Sequence, residues 1–310
     1  MKAAFLYQAA GPEGLVFGEI PEPVPARGEV LVQVHATAAT PTEFKWFPTF
    51  NTREGKPRAF PIVPSHEFSG AVAAIGAGVT GLKLGDEVYG LNDWFANGAL
   101  SEYCIAPAAA VAIKPTKLTH ASAAVAPISA LTAWQGLFEK GKLEAGQTVL
   151  IHGGSGGVGV FSVQLARWRG ARVIATASTH NLEFVRELGA DEVIDYKTTH
   201  FEDSVRNVDH VFDTVGGETL NRSWAVIRPG GKVVTVATQS ETTPDQRARD
   251  AFFIVEANSA QLTEIARLFD AGTLRAFVAG VFPFTEAHEA YARAARGNQR
   301  GKIVLQIRPE

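Results

Sequence analysis

The rhythm of apolar residues changes part-way along the chain. Over the first third they fall in short β-branched or alternating runs: Lys2–Tyr7, Leu15–Glu19, Glu29–Ala38, Phe68–Ile75 and Glu87–Gly90. Pro, Gly and Asn punctuate these runs, the pattern of a β-rich unit. Pro21, Pro23 and Pro25 make a stiff connector, and residues 40–64 read as a loop carrying Pro41, Pro48, Pro57, Pro61 and Pro64 among aromatics. A loop of that length in a compact domain is often functional. From about residue 118 the pattern alternates between strands and helices. Thr119 is placed to cap a helix through Ala121–Ala126, and Ser129–Lys140 reads as helical. Then follow Val149–His152, Val158–Arg169, Arg172–Ala177, Leu182–Leu188, Glu192–Ile194, Val208–Thr214, Glu218–Val226 and Lys232–Val236. Alternation of this kind predicts a doubly wound parallel sheet. Residues 259–270 add an amphipathic helix, and 301–307 a last strand whose partner the pattern leaves open.

The most informative junction is where the strand Val149–His152 runs into Gly153-Gly154-Ser155-Gly156-Gly157-Val158-Gly159. Gly154, Gly156 and Gly159 fit the G-x-G-x-x-G spacing. Glycine there permits a tight turn and lets backbone N–H groups approach a pyrophosphate at a helix N-terminus. A glycine-rich turn without a ligand is the plain alternative. The strand before, the helix after and the next strand at Arg172–Ala177 make a βαβ unit of roughly thirty residues, which favours a dinucleotide. NAD-specific sites place an acid about twenty residues beyond the glycines, at the end of the second strand. Here that place reads Ser178-Thr179-His180-Asn181, without an acid, so a 2′-phosphate meets no repulsion and Ser178 and Asn181 can donate to it. The expected cofactor is NADP(H); a polar turn is the alternative.

Composition narrows the class. The 310 residues are 46% hydrophobic and 20% charged, ordinary for a globular protein with two cores. A net charge of −3 gives no electrostatic footprint for nucleic acid or an anionic membrane. The single cysteine, Cys104, excludes an intrachain disulfide and any multi-cysteine zinc site. No apolar run reaches the about eighteen residues of a membrane span, and Met1-Lys2-Ala3-Ala4-Phe5 runs straight into a strand-like pattern without a signal-peptide apolar core, so a cytoplasmic enzyme is expected.

Beyond these patterns, the order of parts resembles the zinc-free quinone oxidoreductase, or enone reductase, branch of the medium-chain dehydrogenase/reductases. The resemblance rests on Ser65-His66-Glu67-Phe68-Ser69-Gly70, Gly85-Asp86-Glu87-Val88, Ala130-Leu131-Thr132-Ala133-Trp134 and His152–Gly159. Leu188-Gly189-Ala190-Asp191, Phe212-Asp213-Thr214-Val215-Gly216-Gly217 and Arg300-Gly301-Lys302-Ile303-Val304-Leu305 extend it over essentially the whole chain. It implies an α/β fold: a GroES-like β-rich catalytic domain from residues 1–120 and 272–310, and a Rossmann domain from 121–271. A homodimer is implied as well.

Residue roles follow from the same resemblance. Zinc-dependent relatives hold their metal through a Cys, a His followed by Glu, and a third Cys or Asp. His66-Glu67 is present, but Thr40–Glu43 supplies no cysteine and Pro127-Ile128 no third ligand, so His66 is expected to bond locally and no metal is expected. Without a Lewis acid, conjugate reduction of an enone or quinone is easier than alcohol oxidation. The implied cofactor contacts are Gly154, Ser155, Gly156, Gly157, Val158 and Gly159, then Ser178, Asn181 and Tyr196. Val215, Ala237, Thr238, Phe253, Ile254 and Lys302 complete them; the apolar ones serve equally as core, and Lys302 as a solvated lysine. Thr132 and Lys45 are the catalytic candidates; Thr132 serves equally as a helix-packing threonine. Thr42, Trp46, Trp94 and Phe95 are the substrate candidates, against the alternative of loop aromatics packed on the domain. Thr40-Pro41-Thr42-Glu43-Phe44-Lys45 departs from the related Asn-Pro-x-Asp-x-Lys at Thr40 and Glu43. No general acid is legible. A metal-dependent alcohol dehydrogenase and a non-catalytic NADPH-binding regulator remain as rival readings.

Overall fold

The computed structural model describes residues 1–309. A short hairpin pairs β1 (Lys2–Phe5) with β2 (Val16–Glu19). The larger sheet is built on β3 (Glu29–Ala38), the longest strand, in which Val30, Val32, Val34, Ala36 and Ala38 are all buried, as are Leu31 and Thr37. Its other strands are β4 (Glu67–Ile75), β5 (Glu87–Leu91), β6 (Tyr103–Pro107) and β7 (Val111–Ile113). The parallel sheet holds β8 (Thr148–His152), β9 (Arg172–Ala177), β10 (Glu192–Asp195), β11 (Val208–Asp213) and β12 (Ile227–Thr235). The chain then returns to the larger sheet with β13 (Val278–Pro283) and β14 (Lys302–Gln306).

The parallel sheet runs in the order β10-β9-β8-β11-β12. The strand order reverses between β8 and β11, so the glycine run after β8 opens at the crevice where such sheets bind ligands. A sixth strand is reduced to one parallel bridge between Thr235 and Phe252. The larger sheet runs β13-β14-β3-β4-β5-β7, with β6 also on β3. Register shifts at Leu31/Val32 and Val34/Ala36 mark bulges between β3 and β4, which bend the sheet. β14, whose partner the sequence left open, lies parallel to β13 and antiparallel to β3.

Several expected elements differ. β6, β7, β13 and a helix at Ala287–Ala295 were not anticipated. The loop at 40–64 contains a 3₁₀ turn at Pro41–Lys45 and a single helical turn at Phe47–Phe50. The helix expected at Ser129–Lys140 starts earlier, at Pro127, which suits a first helical position, and is α-helical only to Trp134. It continues as a π-helix through Gln135–Lys140, where a Cβ on Gly136 would stand 2.6 Å from the Phe212 ring. The helix expected at Glu218–Val226 ends at Ser223. β12 starts at Ile227 rather than Lys232, with its pairing to β11 irregular between Val208 and His210. The Thr119 side chain caps as expected, accepting from Ser122 N–H, and the helix spans His120–Ala124.

The two sheets share one apolar core. Tyr89 and Leu91 of β5 join Leu131, Val149, Phe161 and Leu262 in one cluster. Tyr89 O–H also donates to the Leu262 carbonyl at 2.6 Å. The cleft between the sheets therefore has packed walls rather than a loose linker. No helix among the described residues is long and apolar enough to cross a membrane.

Candidate cofactor and substrate cleft

The glycine run performs two separate tasks. Gly153 has φ +76°, a left-handed conformation that glycine adopts without strain. A Cβ on Gly159 would stand 2.0 Å from the Gly153 carbonyl oxygen, so only glycine lets the helix Gly159–Trp168 close onto β8. Gly156 is different: a Cβ there meets only the Gly153 oxygen, at 3.4 Å. Its side faces open space. Gly156 N–H is used within the turn, on Gly153 O at 3.0 Å. The N–H groups of Ser155, Gly157 and Val158 have no protein acceptor among the described residues. Free donors at a helix N-terminus, beside space that a methyl group would fill, fit a dinucleotide pyrophosphate. Gly153 is thus a conformational requirement of the loop that lies outside the G-x-G-x-x-G spacing; its place directly after the strand is the available signal.

Next to this loop the structure brings together the residues expected around a 2′-phosphate. Ser178 and Asn181 are buried, and Asn181 Nδ2 donates to Ser155 Oγ at 3.2 Å and to Ser178 Oγ at 3.3 Å. Tyr196 is half exposed, and its O–H donates to Asn298 Oδ1 at 3.3 Å. A cation arrives from far along the chain. Arg300 Nε donates to Asn181 Oδ1 at 3.1 Å, and its Nη2 to the His180 carbonyl at 3.0 Å. Its guanidinium lies 4.8 Å from the Phe184 ring centroid. The nearby Arg186 pairs with Glu183 at 3.1 Å, and the Lys197 ammonium lies 5.2 Å from the Tyr196 ring centroid. Gly301 N–H donates to the Ser155 carbonyl at 3.1 Å. Residues 298–302 therefore form a strap laid by the other sheet across the cofactor loop.

The carboxyl ends of β11 and β12 are held by one buried acid. Asp213 accepts from Thr235 Oγ1 at 2.7 Å and from the N–H groups of Val215 and Gly216 at 3.1 and 2.9 Å. Burial pushes its carboxyl above the usual range, and these donors oppose that rise. Val215 thus stands exposed at the cleft rim, its carbonyl accepting from Gln239 Nε2 at 3.1 Å. Ala237 is buried, and Thr238 opens a 3₁₀ turn beside it. Phe253 is buried with its N–H on the Thr235 carbonyl, whereas Ile254 points outward. His152, at the end of β8, bonds Thr176 Oγ1 and Ser223 Oγ at 3.2 and 3.0 Å. Burial, with help from the Arg222 charge, lowers it to about 3, so it is a neutral structural residue.

The opposite wall is a chain of buried side chains. Lys302 lies with its stem against the glycine loop, since a Cβ on Gly157 would be 2.8 Å from Lys302 Cγ. Its ammonium reaches into the larger sheet, where it pairs with the fully buried Glu67 and donates to Thr40 Oγ1 at 3.0 Å. The stem of Lys302 therefore lies beside the cofactor loop, while its ammonium, the group expected to reach phosphate or ribose, is engaged by Glu67 and Thr40. Burial pushes the Glu67 carboxyl up, and Lys302 opposes this. Glu67 also accepts from Ile128 N–H at 3.0 Å, fixing the start of the helix that carries Thr132. The Thr132 hydroxyl is engaged within that helix, donating to the Ile128 carbonyl at 2.6 Å. Beside this pair, buried Glu43 accepts from Ser65 N–H at 2.8 Å and from Tyr291 O–H at 2.5 Å. Burial, then the Glu43 charge, raises the Tyr291 phenol well above its usual range. Ser65 holds φ +73°, an uncommon conformation for a residue with a Cβ, and its N–H is aimed at Glu43. Glu43, Glu67 and Tyr291 were not singled out as site residues. An acid two residues beyond Pro41 and another beside His66 were the only signals.

The aromatic candidates separate. Trp46 and Trp94 meet edge to face at 5.5 Å, and Trp94 lies 5.5 Å from the His66 ring. Phe95 is turned to Arg53, whose guanidinium sits 4.6 Å from its centroid. Thr42 and Lys45 are exposed, and Lys45 makes no ion pair among the described residues. His66 has Glu43 Oε2 3.5 Å from Nδ1 and the Ala96 carbonyl 3.4 Å from Nε2. No group of three or more His, Cys, Asp or Glu among the described residues is arranged to hold a metal ion. Because His66 faces two oxygens and Glu43 is already bonded, the donor set does not fit catalytic zinc.

A parallel dinucleotide sheet joined to a bulged β-rich sheet, with the cleft between them, defines a medium-chain dehydrogenase/reductase. Family models agree: "Alcohol dehydrogenase GroES-like domain" matches residues 26–116 and "Zinc-binding dehydrogenase" matches 188–305. The chain is 36% identical to the 2-methylene-furan-3-one reductase of Solanum lycopersicum, over 89% of this chain and 71% of that protein. Its fold matches a quinone oxidoreductase from Coxiella burnetii with a TM-score of 0.88 at 29% identity, covering 99% of each chain. A mycobacterial protein solved in complex with NADPH matches with a TM-score of 0.85 at 29% identity, over 99% of this chain and 100% of that one. The chain belongs to the quinone oxidoreductase and enone reductase branch of this superfamily, and it is an NAD(P)H oxidoreductase.

Proposed function

We propose that this enzyme is an NADPH-dependent, zinc-independent reductase of quinones or α,β-unsaturated carbonyls. The observation that carries the cofactor preference is Arg300. It places a fixed guanidinium beside Ser178 and Asn181 in a pocket whose strand end holds no acid. A 2′-phosphate there gains a planar cationic donor, as phosphate recognition favours. The donor set around His66 supports zinc independence. The similarity to a furanone reductase and to a quinone oxidoreductase supports the substrate class.

NADPH supplies the hydride when bound. The chain's own residues do the rest. The free N–H groups of Ser155, Gly157 and Val158 bind the pyrophosphate. Asp213 orders the turn at Val215 and Gly216, the rim beside which the nicotinamide would be held. Trp46 and Trp94 exclude water and offer flat apolar surface to a planar substrate. The exposed Ile254 beside the open edge at β12 supports the homodimer implied by the family resemblance.

The test is oxidation of NADPH and NADH against a panel of quinones, enals and enones. NADPH turnover on at least one class is expected, and none on any of them, with NADPH bound, sinks the reading. Arg300→Gln should raise the KM for NADPH by about tenfold or more, the weight of a charge-assisted hydrogen bond, and leave that for NADH unchanged.

A further inference from the structure

We propose that the Thr40 hydroxyl is the hydrogen-bond donor that stabilises the oxyanion formed on the substrate, held for that task by Lys302. The inference rests on the reductase reading above and names the residue that meets the developing charge.

Thr40 Oγ1 accepts from Lys302 Nζ at 3.0 Å, and no protein acceptor for its own proton is present among the described residues. A hydroxyl whose lone pair is held by an ammonium has a polarised O–H. Thr40 is half-buried, so that proton is not sealed inside the protein. Lys302 is clamped at both ends: its stem lies against Gly157 of the cofactor loop, and its ammonium pairs with Glu67, which is fixed by Ile128 N–H. Thr40 therefore stands within one lysine side chain of the cofactor loop. The other candidates are less suited. The Thr132 proton is engaged on the Ile128 carbonyl, and Lys45 is exposed, with no partner to hold it among the described residues.

The chemistry balances without a proton leaving Thr40. Hydride adds to the carbon β to the carbonyl, the C=C pair shifts, and negative charge collects on the carbonyl oxygen. Thr40 O–H meets that oxygen with a hydrogen bond, and water supplies the proton to the α-carbon. On a quinone the same donor meets the first oxyanion. A preorganised donor of this kind acts most strongly in a site that excludes water. Thr40 is the catalytic residue in this scheme. Lys302 is a positioning residue.

The test compares Thr40→Val, which removes the hydroxyl at nearly constant volume, with Thr40→Ser, which keeps it. The first readout needs no cofactor: p-nitrophenol, whose phenolate mimics the oxyanion, is titrated against the full chain while its visible absorption is followed across pH. Wild type and Thr40→Ser should favour the bound phenolate, lowering the ligand's apparent pKa, and Thr40→Val should abolish that shift. Lys302→Arg, which keeps a cation beside Thr40, should retain it. In turnover, Thr40→Val should lower kcat by about 100-fold with KM little changed, the usual weight of one oxyanion donor, while Thr40→Ser stays near wild type. A wild type that shows no preference for phenolate, or a Thr40→Val variant that keeps both the shift and the rate, overturns the proposal. An enzyme inactive on every quinone and enone defeats the reductase reading, while the phenolate titration still reports on Thr40.

Discussion

The two walls of the cleft are built in opposite ways. The cofactor wall is mostly backbone: a glycine run in which the N–H groups of Ser155, Gly157 and Val158 have no acceptor among the described residues and Gly156 borders open space, stiffened by the Gly153–Gly159 contact. The substrate wall is mostly side chain: Glu67 with Lys302, Glu43 with Tyr291 and Ser65, buried and fully partnered. Backbone recognition tolerates no added atoms and needs no charge. Side-chain recognition concentrates charge where solvation is poor, so each group depends on its partner. The two walls should therefore fail differently.

The largest expected effect is on the side-chain wall. Lys302→Met leaves Glu67 buried without its counter-charge and should cost about 3–5 kcal/mol in chemical denaturation. Adding Glu67→Gln to the same chain should recover most of that loss, because the uncompensated charge is gone. If the single variant is as stable as wild type, the pair is not a buried determinant of the wall.

On the backbone wall, Gly159→Ala drives a methyl into the Gly153 carbonyl and should cost about 1–3 kcal/mol together with loss of dinucleotide binding. Gly156→Ala separates the two tasks. Its methyl meets no side chain, so stability should stay within about 0.5 kcal/mol of wild type, while NADPH fluorescence titration shows weakened binding. A Gly156→Ala variant that binds normally would place the pyrophosphate elsewhere.

A third effect separates buried neutrality from buried charge. His152 is lowered from 6.5 to about 3 in the folded state. Above the unfolded value neither state binds the proton. As pH falls below it the unfolded chain takes up the proton and the native protein does not, so stability is lost from about pH 6.5 down towards 3. Between pH 7 and pH 5 the loss due to His152 should be about 2 kcal/mol. Unfolding of His152→Gln over the same interval should show a correspondingly shallower slope. Equal slopes would mean that His152 titrates normally in the fold.

The smallest effect belongs to the rim. Arg53 and Asp93 pair at 2.5 Å across the two loops of the substrate wall, but the Arg53 side chain is 62% exposed. Asp93→Asn should therefore change stability by less than about 1 kcal/mol. Any larger change would show that loop closure at the mouth, and not only the buried network, holds the aromatic pair.

Legibility followed the same divide. Within the parallel sheet, every expected strand and the glycine loop were found, because their signals are local: apolar runs, glycine spacing, a missing acid. In the other sheet, β6, β7 and β13 escaped: β7 has only three residues, and β6 and β13 lack an alternating pattern and end in proline, with a glycine inside β13. Among the site residues, Thr42, Lys45 and Phe95 proved to lie on the loop surface or against Arg53, and the Thr132 hydroxyl turned into its own helix. Arg300 stayed invisible because it is 119 positions from Asn181. Glu67 and Lys302 are 235 positions apart, and Glu43 and Tyr291 are 248. No local pattern reports a pairing over such distances.

By itself, then, the chain determined the α/β class, the dinucleotide loop and the absence of an acid after β9. These are set by backbone conformation and by residue types within one βαβ unit. The return of the chain through β13 and β14 decided the rest: it brought Arg300 to Asn181 and the turn after β9, and Lys302 between Gly157, Glu67 and Thr40. Charge can be held in the cleft only once burial has removed water and supplied each partner, and that condition exists only in the folded whole.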